Sequence, residues 1–128
     1  MMVRTRIFQE LGGFDTTFDP FGPEDLDFSL RLRKAGYRAL YVPRAMAYHE
    51  VSSTFEGGRY TEKYAQNKTR NWLVFMLRHA PWFEKLVFLA FAVPVLALRV
   101  LVREGRSGNL AAVRGLARGL LEFLRRRR

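Results

Sequence analysis

Three carboxylates, Glu24, Asp25 and Asp27, follow the Gly22-Pro23 turn and lie in the first turn of a predicted helix. Carboxylates in this position can act as general bases, but each can also stabilise the helix by about 0.3 to 1 kcal/mol because it complements the helix dipole. Asp25 and Asp27 are separated by about 200° of rotation on a helix, so they cannot chelate one metal ion from one face. Each carboxylate therefore has to be interpreted separately.

The neighbours of Asp25 and Asp27 differ. Asp27 has Arg31 four residues later, a spacing at which side chains on a helix meet, and this predicts a structural ion pair. Asp25 has Phe28 and Ser29 at the corresponding positions and no cation. An unpaired carboxylate beside a turn can accept a proton from a bound hydroxyl group, so we predict Asp25 as a general base.

The two histidines also differ in their surroundings. His49 ends a predicted extended run and is followed by Ser52 and Ser53. This arrangement is compatible with a metal ligand or a phosphate contact, although a lone histidine without neighbouring ligands is more often inert. His79 lies at a predicted helix end, where an imidazole can bond free carbonyl groups or favour the dipole. We interpret His79 as structural.

The elements that position these residues are predicted from periodicity and from turn residues. Helices are predicted at residues 5–11, 23–35, 60–78 and 82–103, and from residue 110 to the terminal arginines. Residues 37–42 are β-prone, Pro43 interrupts them, and residues 45–49 resume an extended run. Three phenylalanines in a turn-rich segment are expected to anchor the loop before the second helix, at Phe14, Phe18 and Phe21.

The positive charge is concentrated near the end of the chain. The 128 residues are 48% hydrophobic and 14% aromatic, which is enough apolar material for one small domain. Residues 99–128 hold nine arginines and two glutamates, or +7 of the formal net charge of +10. A basic segment beside an apolar one favours an anionic membrane surface as partner, and we expect no nucleic acid partner because most aromatics lie away from this charge. The absence of cysteine excludes disulfide and thiolate chemistry.

The two last helices indicate membrane association. Residues 86–98 form an apolar run of 13 residues, which is shorter than the roughly 20 needed to cross a bilayer. Cations flank the run on both sides, so an interfacial or re-entrant helix fits better than a simple span. The final helix has an amphipathic and basic pattern that suits anionic lipid. The alternative is that both helices pack on the domain.

Three motifs occur in a fixed order along residues 4–81. They are GGFD at residues 12–15, PEDLDFSLRLRKAGYRALYVPRAMAYHEVSST at residues 23–54, and KTRNWLVFMLRHAP at residues 68–81. In their order and separation they resemble the C-terminal half of bacterial family 2 glycosyltransferases, including rhamnosyltransferase-like members. The resemblance implies an α/β fold: the C-terminal portion of the Rossmann-like nucleotide-diphospho-sugar transferase fold, followed by a helical membrane-associated tail.

The resemblance also implies an activity. It is the inverting transfer of a sugar from a nucleotide-sugar donor to the hydroxyl group of a glycan or lipid-linked saccharide, with Mn²⁺ or Mg²⁺ as cofactor. The implied setting is the synthesis of cell-surface polysaccharide or cell wall at the cytoplasmic face of the bacterial cell membrane. By position, Asp25 would be the catalytic base, Glu24 would shape the acceptor side, Phe14 and Asp15 would lie on the acceptor face, and His49 would be a metal ligand.

Family members carry a nucleotide-binding half with a D-x-D loop before these motifs, and we expect this chain to lack it. Residues 1–59 would then be the C-terminal part of the catalytic domain, residues 60–81 a connecting helix, and residues 82–128 the apolar and basic tail. We therefore expect a truncated product that is inactive alone. The alternatives are a noncatalytic basic module that binds a membrane or a partner, and a remnant that supports a full-length transferase.

Overall fold

The computed structural model describes residues 2–48 and 61–125 of the chain. Within these ranges the α-helices are α1 (Thr5–Glu10), α2 (Glu24–Lys34), α3 (Glu62–His79), α4 (Trp82–Val87), α5 (Val93–Arg106) and α6 (Leu110–Arg125). A 3₁₀ turn, Thr16–Phe18, precedes α2, and a π-helical segment, Phe88–Ala92, joins α4 and α5 into one continuous helix, Trp82–Arg106. The helices predicted from periodicity are confirmed to within about three residues at each end.

The predicted α/β fold is wrong for the part of the chain that the structure describes, because residues 2–48 and 61–125 contain no β-strand. Residues 37–42, predicted as a strand, have no regular secondary structure, and Leu40 and Tyr41 are 81% and 89% exposed. Residues 45–48 are also irregular. A strand needs a neighbour to bond its backbone N–H and C=O groups, and β-propensity alone does not supply one.

The central helix of the described fold is α3. Thr61 begins it, because the Thr61 hydroxyl oxygen accepts a hydrogen bond from the Tyr64 backbone N–H at 3.2 Å. Pro81 follows its end and prevents its continuation. Its buried face contacts both the loop before α2 and the last helix, so α3 is a shared support for the two halves of the chain.

The last helix, α6, packs along α3 in the same direction. A Cβ atom on Gly115 would overlap the Glu62 carbonyl oxygen, and one on Gly119 would overlap the Gln66 carbonyl oxygen. From the first contact to the second, the residue number increases by four on α6 and also by four on α3, so the two helices are parallel. Glycines four residues apart permit this close backbone approach. The buried residues of α6 are Ala112, Gly115, Gly119 and Phe123.

The aromatic loop between α1 and α2 is anchored as predicted. Phe18 is fully buried and lies edge-on to Phe75 of α3, with 6.5 Å between the ring centroids. The Phe21 ring lies edge-on to the Tyr64 ring of α3, with 5.4 Å between the ring centroids. Phe14 packs edge-on to Phe28 of α2, with the centroids 5.7 Å apart. These contacts fix the loop between α2 and α3.

The continuous helix Trp82–Arg106 has a different environment. By its length of 25 residues and its composition it could cross a membrane, and none of its most apolar window is buried in the protein. A helix that is apolar on nearly all sides and unburied is not stable in water by packing. Packing in the protein core therefore does not explain how this apolar helix is stabilised.

Candidate functional site

Asp27 lies fully buried at the centre of a polar network between α2 and α3. Its Oδ2 atom accepts a hydrogen bond from Arg31 Nε at 2.7 Å, which confirms the predicted ion pair. Its Oδ1 atom lies 2.7 Å from His79 Nε2 and accepts a bond from Arg78 Nη1 at 3.3 Å. Asp27 therefore joins the acidic helix to the end of α3.

The charge state of this network follows from its contacts. Burial opposes ionisation of Asp27, but the hydrogen bonds with His79 and Arg31 outweigh burial and hold the pKa of Asp27 below its usual value. An ionised carboxylate only accepts hydrogen bonds, so His79 Nε2 carries the proton that it donates to Asp27. The structural interpretation of His79 is consistent with this contact, although its partner is a carboxylate and not a backbone carbonyl group.

Arg31 connects this network to the GGFD turn. Its guanidinium group donates to the Leu11 carbonyl oxygen at 2.5 Å and to the Gly13 carbonyl oxygen at 2.7 Å. Gly12 and Gly13 adopt positive φ angles of 75° and 66°, a left-handed conformation that favours glycine. One arginine thus fixes both the buried carboxylate and the turn that carries Phe14.

The two residues predicted on the acceptor face have different environments. Phe14 is 45% exposed, and its ring packs edge-on to the Phe8 ring, with the centroids 5.2 Å apart. Asp15 accepts a hydrogen bond from the Thr17 backbone N–H at 2.8 Å and also bonds Arg78. The hydrogen bonds from Thr17, with a further contribution from Arg78, lower the pKa of Asp15 to about 2. Phe14 thus presents part of its ring to solvent, while Asp15 is held by its neighbours.

The predicted catalytic carboxylates lie at the start of α2. Asp25 is exposed, and its Oδ1 atom accepts a hydrogen bond from the Leu26 backbone N–H at 2.8 Å. Within residues 2–48 and 61–125, no ion pair involves Asp25 or the partly exposed Glu24. As the 200° separation predicted, Asp25 and Asp27 lie on different sides of α2. Asp25 is accessible to a bound molecule.

The turn before Glu24 and Asp25 is held by the Arg-Asn pair of α3. Asn71 is fully buried and donates to the carbonyl oxygens of Phe18 and Phe21 at 2.6 and 2.8 Å. Arg70 donates to the Asp19 carbonyl oxygen at 3.0 Å and to Asn71 Oδ1 at 2.8 Å. No role of this pair is predicted from the sequence, although two polar residues on the apolar face of a helix are a signal of buried hydrogen bonds.

The residues predicted to bind metal and phosphate, His49, Ser52 and Ser53, lie outside the described residues. Their roles in binding metal and phosphate therefore stay predictions. In the part of the chain that the structure describes, no three His, Cys, Asp or Glu side chains are grouped so that they could hold a metal ion. The described residues thus form a rigid support for an accessible carboxylate, and they do not form a metal site by themselves.

The comparisons with known proteins agree with the resemblance drawn from the motifs. The sequence model of the glycosyl transferase family group 2 matches residues 1–117, and the chain belongs to this family. It is similar to the N-acetylglucosaminyl-diphospho-decaprenol L-rhamnosyltransferases of two Mycobacterium tuberculosis strains, CDC 1551 / Oshkosh and ATCC 25618 / H37Rv. No solved structure gives a significant match.

The extent of this similarity is limited. The identity to both relatives is 33% over 86 residues, which cover 66% of this chain and 27% of each relative. The match therefore spans about a quarter of the length of these curated relatives.

Proposed function

We propose that the protein is part of an inverting glycosyltransferase in which Asp25 is the catalytic base. The observation that carries this proposal is the environment of Asp25, which is exposed and forms no ion pair among the described residues. A sugar hydroxyl group is a poor nucleophile until a carboxylate removes its proton. As the hydroxyl oxygen bonds to the anomeric carbon, the proton goes to Asp25 and the bond from that carbon to the diphosphate breaks. A single displacement of this kind inverts the anomeric configuration.

The donor in this proposal is a nucleotide sugar, and the acceptor is a glycan or a lipid-linked saccharide of cell-surface polysaccharide synthesis. The printed name of the M. tuberculosis relatives describes a saccharide on a diphospho-decaprenol lipid, which supports the lipid-linked class. Glu24 lies next to the base and would shape the acceptor side. The exposed part of the Phe14 ring offers an apolar surface to a sugar face.

A divalent ion, Mn²⁺ or Mg²⁺, belongs to the proposal through His49, with Ser52 and Ser53 as phosphate contacts. Such an ion would neutralise charge that develops on the leaving diphosphate. We also propose a location at the cytoplasmic face of the bacterial cell membrane. The exposed apolar helix Trp82–Arg106 supports a membrane location, and a lipid-linked acceptor would be found there.

We also propose that the 128-residue chain alone is inactive, as its resemblance to one part of a larger catalytic domain implies. The test is a chimera in which the 86 matched residues of an M. tuberculosis relative are replaced by those of this chain. The proposal predicts transfer of labelled L-rhamnose from its nucleotide to a lipid-linked acceptor by the chimera, and none by the 128-residue chain. Transfer by the purified chain would contradict its inactivity.

A noncatalytic basic module that binds a membrane is the second candidate. It is favoured by the exposure of the apolar helix Trp82–Arg106 and of its arginines. A chimera that folds and remains inactive, together with vesicle binding by the 128-residue chain, would support this candidate and contradict the transferase proposal. The two candidates thus give opposite results in the same assay.

A further inference from the structure

The direction of the helices restricts how the apolar helix Trp82–Arg106 can meet a membrane. Two residues separate the end of α3 at His79 from the start of this helix at Trp82, and three residues separate its end at Arg106 from the start of α6 at Leu110. These connections are too short to let the ends of the three helices separate widely. The start of the apolar helix therefore lies beside the end of α3, and its end lies beside the start of α6.

The corner between α5 and α6 is fixed by hydrogen bonds. The buried Glu104 accepts bonds from Asn109 Nδ2 at 2.8 Å and from Arg103 Nε at 2.6 Å. Asn109 Oδ1 also accepts a bond from the Ala112 backbone N–H at 3.3 Å, and Gly108 has a positive φ of 70° that completes the turn. The apolar helix thus has a defined connection to α6.

The lengths of the helices match this arrangement. At about 1.5 Å per residue, the apolar helix of 25 residues is about 37 Å long and α3, with 18 residues, is about 27 Å long. Because Gly115 of α6 packs against Glu62 near the start of α3, Leu110 lies beyond that start. The apolar helix therefore runs back over the whole length of the parallel α3–α6 pair.

A membrane crossing conflicts with this geometry. If the apolar helix crossed a bilayer, its ends would lie on opposite sides, and α3, which extends over most of the same distance, would have to lie at the depth of the hydrocarbon. The α3–α6 pair carries the Arg70–Glu122 ion pair, at 3.0 Å, and the Arg118–Glu62 ion pair. Charged side chains at that depth are strongly unfavourable.

The outward side of the apolar helix indicates how it meets lipid instead. The least exposed residues of α5 share one face that is turned toward the protein: Val93, Ala97, Val100 and Glu104. Arg99 and Arg106 lie away from this face and line a shallow groove with Leu98 and Val102, and Arg103, which pairs with Glu104, borders the same groove. Exposed apolar side chains occupy the preceding turns, including Trp82, Phe83, Leu86, Phe91 and Val95. Apolar and cationic surface on one helix suits the boundary between acyl chains and anionic headgroups.

We propose that the helix Trp82–Arg106 lies in the plane of an anionic bilayer, with both ends on the same side and with Arg99 and Arg106 at the level of the lipid phosphates. This inference rests on the membrane location proposed above and adds the manner of attachment. The α3–α6 pair then remains outside the hydrocarbon. The acidic start of α2 stays on the same side of the membrane as both ends of the helix.

The test uses the complete 128-residue chain, which has no cysteine of its own. Single cysteines are introduced by Glu84→Cys and Gly105→Cys at the two ends of the helix and by Val95→Cys in its exposed apolar part. Gln9→Cys, at an exposed site on α1, is the matched control, because its thiol is expected to stay in water. Each variant is added to preformed vesicles of phosphatidylcholine and phosphatidylglycerol, floated, and reacted with a membrane-impermeant maleimide before and after detergent is added.

The proposal predicts that both end cysteines react fully without detergent, as the control cysteine does. It also predicts that the Val95→Cys thiol reacts about tenfold more slowly on vesicles than in solution, because it lies below the headgroups. An end cysteine that reacts fully only after detergent would show a crossing and overturn the proposal. If the chain fails to float with the vesicles, the membrane location is overturned as well. The sugar-transfer proposal does not depend on this result and is tested by the chimera assay.

A second set of variants tests the arginines. Arg99→Gln and Arg106→Gln should each lower the partition into the anionic vesicles about fivefold, because each cation near the surface contributes to binding. The matched control is Arg33→Gln on α2, an exposed arginine away from the helix, which should leave the partition nearly unchanged. Equal effects of all three substitutions would overturn the placement of the arginines at the lipid phosphates.

Discussion

Asp25 and Asp27 are two residues apart on α2 but have opposite environments. Asp27 is fully buried and contacts Arg31, His79 and Arg78. Asp25 is exposed and has no ion pair in the described part of the chain. The acidic motif therefore combines two tasks: the buried carboxylate fixes α2 on α3, and the exposed carboxylate is available to a bound molecule.

The largest effect on stability is expected from Asp27→Ala. Removing a buried carboxylate from its cationic partners leaves those partners uncompensated, so the free energy of unfolding should fall by about 3 kcal/mol. Urea denaturation of the 128-residue chain at neutral pH measures this change. A decrease of less than about 1 kcal/mol would contradict the structural role of Asp27.

A smaller loss is expected from Asn71→Ala, which tests the support of the turn before Asp25. The substitution removes both donors to the Phe18 and Phe21 carbonyl oxygens and should lower the free energy of unfolding by about 2 kcal/mol. Gln9→Ala, at an exposed site on α1, is the control and should change the free energy of unfolding by less than about 0.5 kcal/mol. Equal effects of the two substitutions would show that Asn71 does not hold the turn.

Acidification is expected to weaken the network that holds Asp15. The pKa of Asp15 is lowered to about 2 in the folded protein, so its contribution to stability is complete above its unfolded pKa of about 3.9 and is lost as the pH falls toward 2. Urea denaturation at a series of pH values between about 6 and 2 should show this decline, and Asp15→Asn should make it shallower. An unchanged pH dependence in that variant would contradict the assignment.

The smallest effect on stability is expected from Asp25→Ala. Since Asp25 is exposed and only complements the helix dipole, its loss should change the free energy of unfolding by less than about 1 kcal/mol. The same urea denaturation measures it beside the Asp27→Ala variant. A loss as large as that of Asp27→Ala would remove the distinction between the two carboxylates.

Local features of the fold could be predicted from the sequence. Helical periodicity predicted the helices, and the four-residue spacing predicted the Asp27–Arg31 pair. The contact between Asp27 and His79 could not be predicted, because these residues are 52 positions apart in the chain. The strand predicted at residues 37–42 is absent, because a strand needs a neighbouring strand to bond its backbone, and the β-propensity of its own residues does not reveal whether one is present.

The two apolar and basic helices near the end of the chain show the same limit. Both suggested lipid contact, yet α6 packs on α3 through Gly115 and Gly119, whereas the helix Trp82–Arg106 remains exposed. An amphipathic pattern reports an apolar face and does not identify what covers it. The two glycines four residues apart were the signal in the sequence that favoured close packing of α6 on another helix.

The most direct test of the account is the rate of sugar transfer by the chimera that carries Asp25→Asn. The substitution keeps the size of the side chain and removes the base. We therefore expect the rate of sugar transfer to fall at least about 100-fold and the free energy of unfolding to stay unchanged. A rate within about threefold of the unsubstituted chimera, from a protein that folds equally well, would contradict the role of Asp25 as the catalytic base.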